Sequence, residues 1–385
     1  MKAKASEEAP LLKSVRSLNE RSIESRGGIV ALCAKNRMTH KSTVAKYFEY
    51  WDSSPEGAEA VRAIRSANYD AVAKCLTLKY FSSYYDTVTD IIEHLWASSL
   101  HLFTLKKGET MREAARRHEH SLACYAGIIR DAYVLDVGSG VGGPAREIAR
   151  FTEARVLGIN LNEYQIGRAI RYTERDGLSD RVNFIKADFM KMPLQSQSVD
   201  CAYSIEGTSY APNLEGVYSE IYRVLKPGGK FAAYELIMTE RFDKNNPTHC
   251  AVHLNLEKGM GIPNMVRTSD AVDALRRAGF EVEIAEDLAD HYSDIPWYYP
   301  FRLSFKWMFS LSDTLRCAYI TVLTRSLLVG GFAYYLAILG EWFGILPPAT
   351  IQVLLNLADL NVALVEGGEK EIFTPVFLIV ARKPY

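Results

Sequence analysis

The stretch Val134–Pro144 reads VLDVGSGVGGP: an apolar strand with an acid near its end runs directly into a glycine-rich turn. A short helical stretch, Ala145–Phe151, comes next. Glycines at 138 and 140 permit positive φ and let a ligand approach the backbone closely, and the helix behind them presents free N–H groups and the positive end of its dipole. Such a loop suits an anion or a carboxylate. Dinucleotide-binding folds and tight structural turns also use this pattern, so its context has to separate them. A dinucleotide fold would carry an acid at the end of the second strand, where this chain has Asn160 in LGINLNEYQ, and the acid here, Asp136, stands beside the first loop. That arrangement favours S-adenosylmethionine. Further along, KADF (Lys186–Phe189) closes a third strand with an acid and an aromatic suited to an adenine edge and face. YRVLKPGGK (Tyr222–Lys230) stops a helix at Pro-Gly-Gly before a fifth strand. Taken alone, Asp188 could be a strand-end cap and Gly228–Gly229 a helix stop.

Around this loop, β-branched runs alternate with amphipathic stretches, the signature of parallel βαβ units. The runs are Tyr133–Val137, Arg155–Ile159, Val182–Ala187, Val199–Ser204 and Lys230–Leu236, with a sixth at Phe280–Ala285 after the helical stretch Asp270–Ala278 and a seventh at Thr374–Arg382. Almost ninety residues lie between the last two, too many for a plain loop, so Asp287–Lys370 is expected to form helices of its own over a substrate pocket. Within it, Leu327–Leu339 (LLVGGFAYYLAIL) is shorter than the ~18–20 residues of a spanning helix and fits a helix packed in the lid or lying on a membrane surface. Upstream, Val61, Ile64, Ala67, Ala71, Cys75 and Leu78 recur at helical spacing. The expected organisation is a loosely ordered arm (1–45), a helical cap (46–127), a cofactor-binding core (128–286), a helical lid or membrane-contact insert (287–370) and the last core strand (371–385).

With 45 basic and 46 acidic side chains the net charge is −1, which leaves no global field for a polyanion, so nucleic acid is not expected as a partner. Six scattered cysteines form no CxxC pair, and no metal site is expected. A polar Met1–Glu8 with no apolar segment behind it argues against a secretory signal.

LDVGSGVGGPAREIAR, GINLNEYQIGRA and YRVLKPGGKFAAYE together resemble the sterol 24-C-methyltransferases. YYDTVTDIIEHLWASSLHLF (Tyr84–Phe103), YSIEGTSYAP (Tyr203–Pro212) and FDKNNPTHCAVHLNLEKGMGIPN (Phe242–Asn264) extend the likeness, which is strong over Lys79–Ile284 and returns in the terminal FTPVFLIVARKP. The resemblance implies an α/β, Rossmann-like class I methyltransferase: a seven-stranded doubly wound sheet with a helical N-terminal cap and a helical lid inserted before the last strand. It also implies S-adenosylmethionine as cofactor and alkylation of a sterol or triterpenoid side-chain double bond through a carbocation, in a dry pocket with aromatic faces, carboxylates and a base. By the same analogy Asp136, Gly138, Ser139 and Gly140 hold the methionine end, Asn160 and Gln165 the ribose, Asp188 and Phe189 the adenine, with Ile205 alongside. Glu206, Tyr210, His101 and Tyr85 are the catalytic candidates, and Tyr84, Trp96, Met260, Trp297 and Tyr298 the substrate-binding ones. For each aromatic, core packing is the plain alternative, and for Glu206 it is a structural hydrogen bond to the cofactor loop.

The departures fall on the substrate side. Where the family usually reads YEYGWGxSFHF this chain has IEHLWASSLHL (Ile92–Leu102), its CHAP becomes SYAP with Tyr210, and its GDGIP becomes GMGIP with Met260. Altered acceptor specificity is the expectation. Expected partners are the apolar substrate, an endoplasmic-reticulum membrane or lipid-droplet surface held peripherally, and a second copy of the chain. Other lipid acceptors (an acyl chain, a prenylquinone or a tocopherol precursor) and a non-catalytic lipid-binding homologue are the competing readings.

Overall fold

The computed structural model describes residues 28–52, 85–86, 88–95, 99–262, 265–291, 293–302 and 311–385. At its centre is a seven-stranded sheet in the order β3-β2-β1-β4-β5-β7-β6. Its strands are β1 (Tyr133–Val137), β2 (Arg155–Asn160), β3 (Val182–Lys186), β4 (Val199–Ile205), β5 (Leu225–Met238), β6 (Glu281–Asp287) and β7 (Phe373–Arg382). The first five run parallel, and β7 inserts antiparallel between β5 and β6. Every expected strand is present within a few residues. The largest shift is in β5, which starts at Leu225 and carries the Pro-Gly-Gly segment as an irregularity before pairing resumes at Cys201↔Lys230.

Strand order reverses between β1 and its neighbours β2 and β4, which places a crevice at the carboxyl end of β1. Asp136 pairs with Gly158 on one side and Tyr203 on the other, in the middle of that end. Both faces of the sheet are apolar, with Val134, Ile148, Tyr203 and Val376 buried on one side and Leu135, Ile159, Phe231 and Ile379 on the other.

The helices packed on the sheet are α3 (Met111–Tyr125), α4 (Gly143–Thr152), α5 (Glu163–Arg175), α6 (Leu214–Val224), α7 (Pro247–Met260) and α8 (Thr268–Arg277). They come after α1 (Gly28–Cys33) and α2 (Arg37–Asp52). These first two helices correct the expectation of a loose arm for residues 28–45. Leu32, Val44, Tyr47 and Phe48 bury against Val88, Ile91 and Val353, partners too distant in sequence for local periodicity to reveal. Lys35 forms a buried ion pair with Asp90 at 2.8 Å. The apolar set Val61–Leu78 read as cap helix lies outside the described residues, whereas α3 is present with a full capping box between Thr110 and Glu113.

After the short α9 (Leu288–His291), the insert contains α10 (Leu311–Leu328), α11 (Phe332–Trp342) and α12 (Thr350–Glu369). The run Leu327–Leu339, expected to be one helix, is instead divided between two, bent by 78° at Val329–Gly331. Gly330 adopts φ +65 at the break, and Ser326 ties it by accepting from the Gly331 and Ala333 amides. α12 crosses α7 closely because Gly259 has no side chain: a Cβ there would lie 2.5 Å from that of Leu360.

Phe184 on β3 fills the space left by Gly158 on β2, where a Cβ would come within 2.5 Å of its ring. Gly158→Ala should therefore lower stability by about 1–3 kcal/mol through overpacking. Phe184→Leu in the same chain should recover part of that loss, as read from urea denaturation midpoints.

Candidate active site

The loops after β1 and β4 cross in direct backbone contact. A Cβ on Gly138 (φ +85) would lie 2.8 Å from the Gly207 Cα, and one on Gly207 would lie 2.4 Å from the Val137 carbonyl oxygen. Ser204 Oγ ties the crossing by donating to that carbonyl at 2.8 Å and accepting from the Thr208 amide at 3.1 Å. Beyond the crossing opens a cleft lined by Gly138, Gly140, Asn160, Gln165, Phe189 and Ile205. Gly140 (φ +53) faces open space.

Asn160 donates to Gln165 Oε1 at 2.7 Å, and Asn162 caps α5 while lining the same cleft. Asp136 is buried, and burial pushes its carboxyl up to about 7, against the favourable influence of the neighbouring Tyr203 hydroxyl. Neither Asp136 Oδ2 nor the buried Ser139 Oγ makes a hydrogen bond of good geometry within the protein. A buried carboxyl oxygen and a buried hydroxyl left unsatisfied at a glycine-bent strand end are groups that the polar atoms of S-adenosylmethionine would satisfy, so the residues fit that cofactor. Asp188 Oδ1 accepts from the Met190 amide at 2.9 Å, which fixes the turn after β3, and Phe189 beside it lines the cleft.

A second cavity adjoins the cleft, with about 1060 Å³ of empty space counting its mouth. Its walls are apolar, supplied by Leu236 and Met260, by Ile320, Leu323 and Leu327 of α10, and by Leu354, Leu357 and Leu364 of α12. Tyr85, Leu100, Glu206 and Tyr210 border both spaces and form their common rim. Glu206 sits there at φ +60, a strained conformation for a side-chain-bearing residue. Its backbone is held by N–H donation to the Tyr234 carbonyl at 2.8 Å, and its Oε1 accepts from the Leu102 amide at 2.7 Å. Burial pushes the Glu206 carboxyl up to about 8, opposed by the His101 charge. Tyr210 packs on Tyr85 with ring centroids 5.5 Å apart and donates to the Met260 carbonyl at 3.2 Å.

His101 reaches the cavity wall, but both ring nitrogens are engaged, Nδ1 with the Leu102 carbonyl and Nε2 with Glu119 Oε1, each at 3.0 Å. It is therefore not a free base. Trp297 and Tyr298 are corrected as substrate groups. Trp297 is buried against Phe373, and Tyr298 fills the space beside Gly368, neither of them on the cavity wall. Tyr84 and Trp96 lie outside the described residues. Sequence reasoning did not assign Leu100, Asn162, Gly207 or Glu119. Asn162 carries a readable signal, an N-cap before an amphipathic run, whereas Glu119 lies in a charged stretch without any.

The sheet order, the glycine turn and the buried carboxyl beside it define an S-adenosylmethionine-dependent methyltransferase of class I. Family models agree: one described as methyltransferase domain matches residues 135–233, and one described as sterol methyltransferase C-terminal matches 320–385. The chain is 45% identical to the sterol 24-C-methyltransferase of Aspergillus fumigatus over 96% of its length and 95% of that protein's. With that of Saccharomyces cerevisiae it shares 43%, over 96% and 92% respectively. The chain belongs to the sterol 24-C-methyltransferase family. Among solved structures, the [4+2]-cyclase SpnF (TM-score 0.56, 23% identity, 79% of this chain and 95% of that one) has the same fold. So has the cyclopropane synthase MmaA2 of Mycobacterium tuberculosis (TM-score 0.55, 12% identity, 74% and 89%).

Burial raises both Asp136 and Glu206 above their unfolded values of 3.8 and 4.5, so the folded chain binds more protons than the unfolded one up to about pH 7–8. The protonated forms stabilise the ligand-free fold at acid pH, and that contribution is lost as pH rises through the folded values. The urea midpoint of ligand-free protein should therefore fall between about pH 4 and 8, and Glu206→Gln should make the fall shallower.

Proposed function

We propose that this chain methylates a side-chain double bond of a sterol or related triterpenoid, at the position the family alkylates. The observation that carries the reading is the shared rim: a cofactor-type cleft adjoins an apolar cavity through Tyr85, Leu100, Glu206 and Tyr210. A long apolar acceptor fits a wall built mainly of leucine, isoleucine and methionine, with His101, Thr324 and Asn361 as polar points along it.

When bound, S-adenosylmethionine supplies an electrophilic methyl group on a sulfonium. The protein's own contribution is to keep water out and to face positive charge developing on the acceptor. Tyr85 and Tyr210 offer ring faces to a cation. Glu206, as a carboxylate, adds a negative charge at the same rim, and a site that burial keeps poorly solvated makes that charge effective. The tyrosine that replaces the family's histidine is clamped by its bond to the Met260 carbonyl, so Tyr210 shapes the wall and offers its ring face. Met260, where the family has an acid, makes the far wall apolar. Both substitutions support a preference for an acceptor with fewer polar groups at that end.

Mass spectrometry after incubation with methyl-labelled cofactor and a panel of sterols, squalene, acyl lipids and prenylquinones tests the assignment. Label on a side-chain carbon of a sterol or triterpenoid is expected; label only on a hydroxyl, an amine or an acyl chain would overturn it. Glu206→Gln should reduce kcat by about 10²-fold or more, with the affinity for S-adenosylhomocysteine within a few-fold of the parent.

The membrane reading rests on the lid. Val329, Phe332, Trp342, Phe343 and Ile345, on α11 and the turns before and after it, are strongly exposed, while Ile320, Leu323 and Leu327 of α10 turn inward to the cavity. No single described helix is long and apolar enough to cross a membrane. The pair is suited to lie in the interface of an endoplasmic-reticulum or lipid-droplet surface, where the acceptor dissolves. Replacing Phe332, Trp342 and Phe343 together by serine should abolish co-flotation with neutral phospholipid vesicles while leaving cofactor affinity unchanged; undiminished flotation would remove the lid from the interface.

A further inference from the structure

Behind the rim lies a buried chain of polar groups that the reading above does not use. His101 is 3% exposed and Glu119 is 1% exposed. The Leu102 carbonyl can only accept, so His101 Nδ1 carries a proton, and a hydrogen bond between Nε2 and a carboxylate oxygen requires one there too. Glu119 Oε1 also receives the Ser99 hydroxyl at 2.7 Å, which fixes its orientation. Leu102 then serves both ends: its carbonyl accepts from His101 and its amide donates to Glu206.

We propose that Glu119 is a positioning residue that, through the His101 imidazolium and the Leu102 backbone, biases Glu206 toward its carboxylate form at the rim. The proposal rests on the assignment of Glu206 as the group facing the developing cation. A buried imidazole with no counter-charge would give up its second proton, and burial alone does push His101 down; the hydrogen bond and charge of Glu119, with the charge of Glu206, reverse that direction. Once neutral, His101 would no longer oppose the burial that favours protonated Glu206.

The other titratable neighbours do not supply this charge. His118 stacks on His101 at 5.6 Å and on Tyr234 at 3.6 Å, and burial holds it neutral, well below the usual histidine range. Arg117 acts on His118 from the next position and is itself bound to Glu109 and Thr104. Glu235 acts on Glu206 from β5, but it is held by Thr208, Ser209 and Tyr218 and disfavours the carboxylate at the rim. Tyr210 and Tyr85 are partly buried phenols on the far side, and Asp136 feels Glu119 and His101 from the cofactor side. Glu119 is the one acid among these groups bound directly to His101.

Glu119→Gln keeps an acceptor for Nε2 and removes the charge. In the full-length enzyme, with a sterol that it turns over, the ascending limb of the kcat–pH profile should move up by about one unit or more. The rate should approach that of the parent at high pH, and affinity for S-adenosylhomocysteine should change less than about threefold. A merely structural role would lower the rate at every pH alike, and that result, or an unmoved limb, overturns the proposal. In a Glu206→Gln background Glu119→Gln should cost little more; an undiminished second loss also overturns it. Nitrogen-15 imidazole NMR is independent of turnover. It should find His101 charged at pH 7.5 in the parent and neutral in Glu119→Gln, and a His101 that is neutral in both sinks the relay. A fully active Glu206→Gln chain that retains the NMR difference would instead sink the assignment of Glu206.

Discussion

The site depends on two strand ends being allowed to touch. Parallel strands β1 and β4 diverge at the switch point of the sheet, and the loop leaving each would ordinarily turn away from the other. Here the loops converge instead, because Gly138 and Gly207 lack the atoms that would hold them apart, and Ser204 stitches the Val137 carbonyl to the Thr208 amide. Either glycine with a side chain would separate the loops by more than a hydrogen-bonded turn tolerates. The crossing has two consequences at once. It exposes the Gly138–Gly140 backbone to a ligand on one side, and on the other it forces Glu206 into positive φ and so aims its side chain at the seam between the two spaces.

That seam is where electrostatics and hydrophobicity meet. The cavity is greasy enough to hold a sterol-sized hydrocarbon, and the same dryness raises the cost of every charge placed near it. Asp136 and Glu206 both show the cost as carboxyls held near neutrality by burial. A cation arriving at either end relieves it, since a positive charge favours the ionised partner. Carboxyls in such a site are held ready for positive ligands, and the strain at Glu206 is the local expense of keeping one at the rim.

Much of the fold was legible in the sequence because it is written in local patterns. Most of the strands are short apolar runs with turn signals at their ends, and the long gap before β7 announced helices that loop statistics could not otherwise accommodate. The cleft was legible for the same reason, since Gly138, Gly140, Asn160, Gln165, Phe189 and Ile205 lie at or just after the ends of consecutive strands and all line it. Three things were not. The helices of the arm bury against α12, more than three hundred residues away, and no window on the sequence includes that partner. The glycine pair that bends the lid lies within an apolar run, where hydropathy sees continuity and only backbone geometry sees a break. Trp297 and Tyr298 read as a substrate cluster because aromatic residues look alike whether they line a cavity or plug the space beside a glycine such as Gly368.

The remaining gap, the polar groups behind Glu206, illustrates a limit of a different kind. Neither end of the chain from Glu119 to Glu206 identifies the other, because the link between them is the backbone of Leu102, a residue whose side chain says only that it is apolar. Main-chain groups carry no residue identity, so a network routed through them leaves no trace in the one-letter code. It does leave a trace in burial: four ionisable side chains, Glu119, His101, Glu206 and Asp136, sit in contact or electrostatic reach of one another below the surface, at a cost a purely structural core would avoid. Set beside an otherwise apolar cavity, such a cluster places its charge where a developing cation can use it.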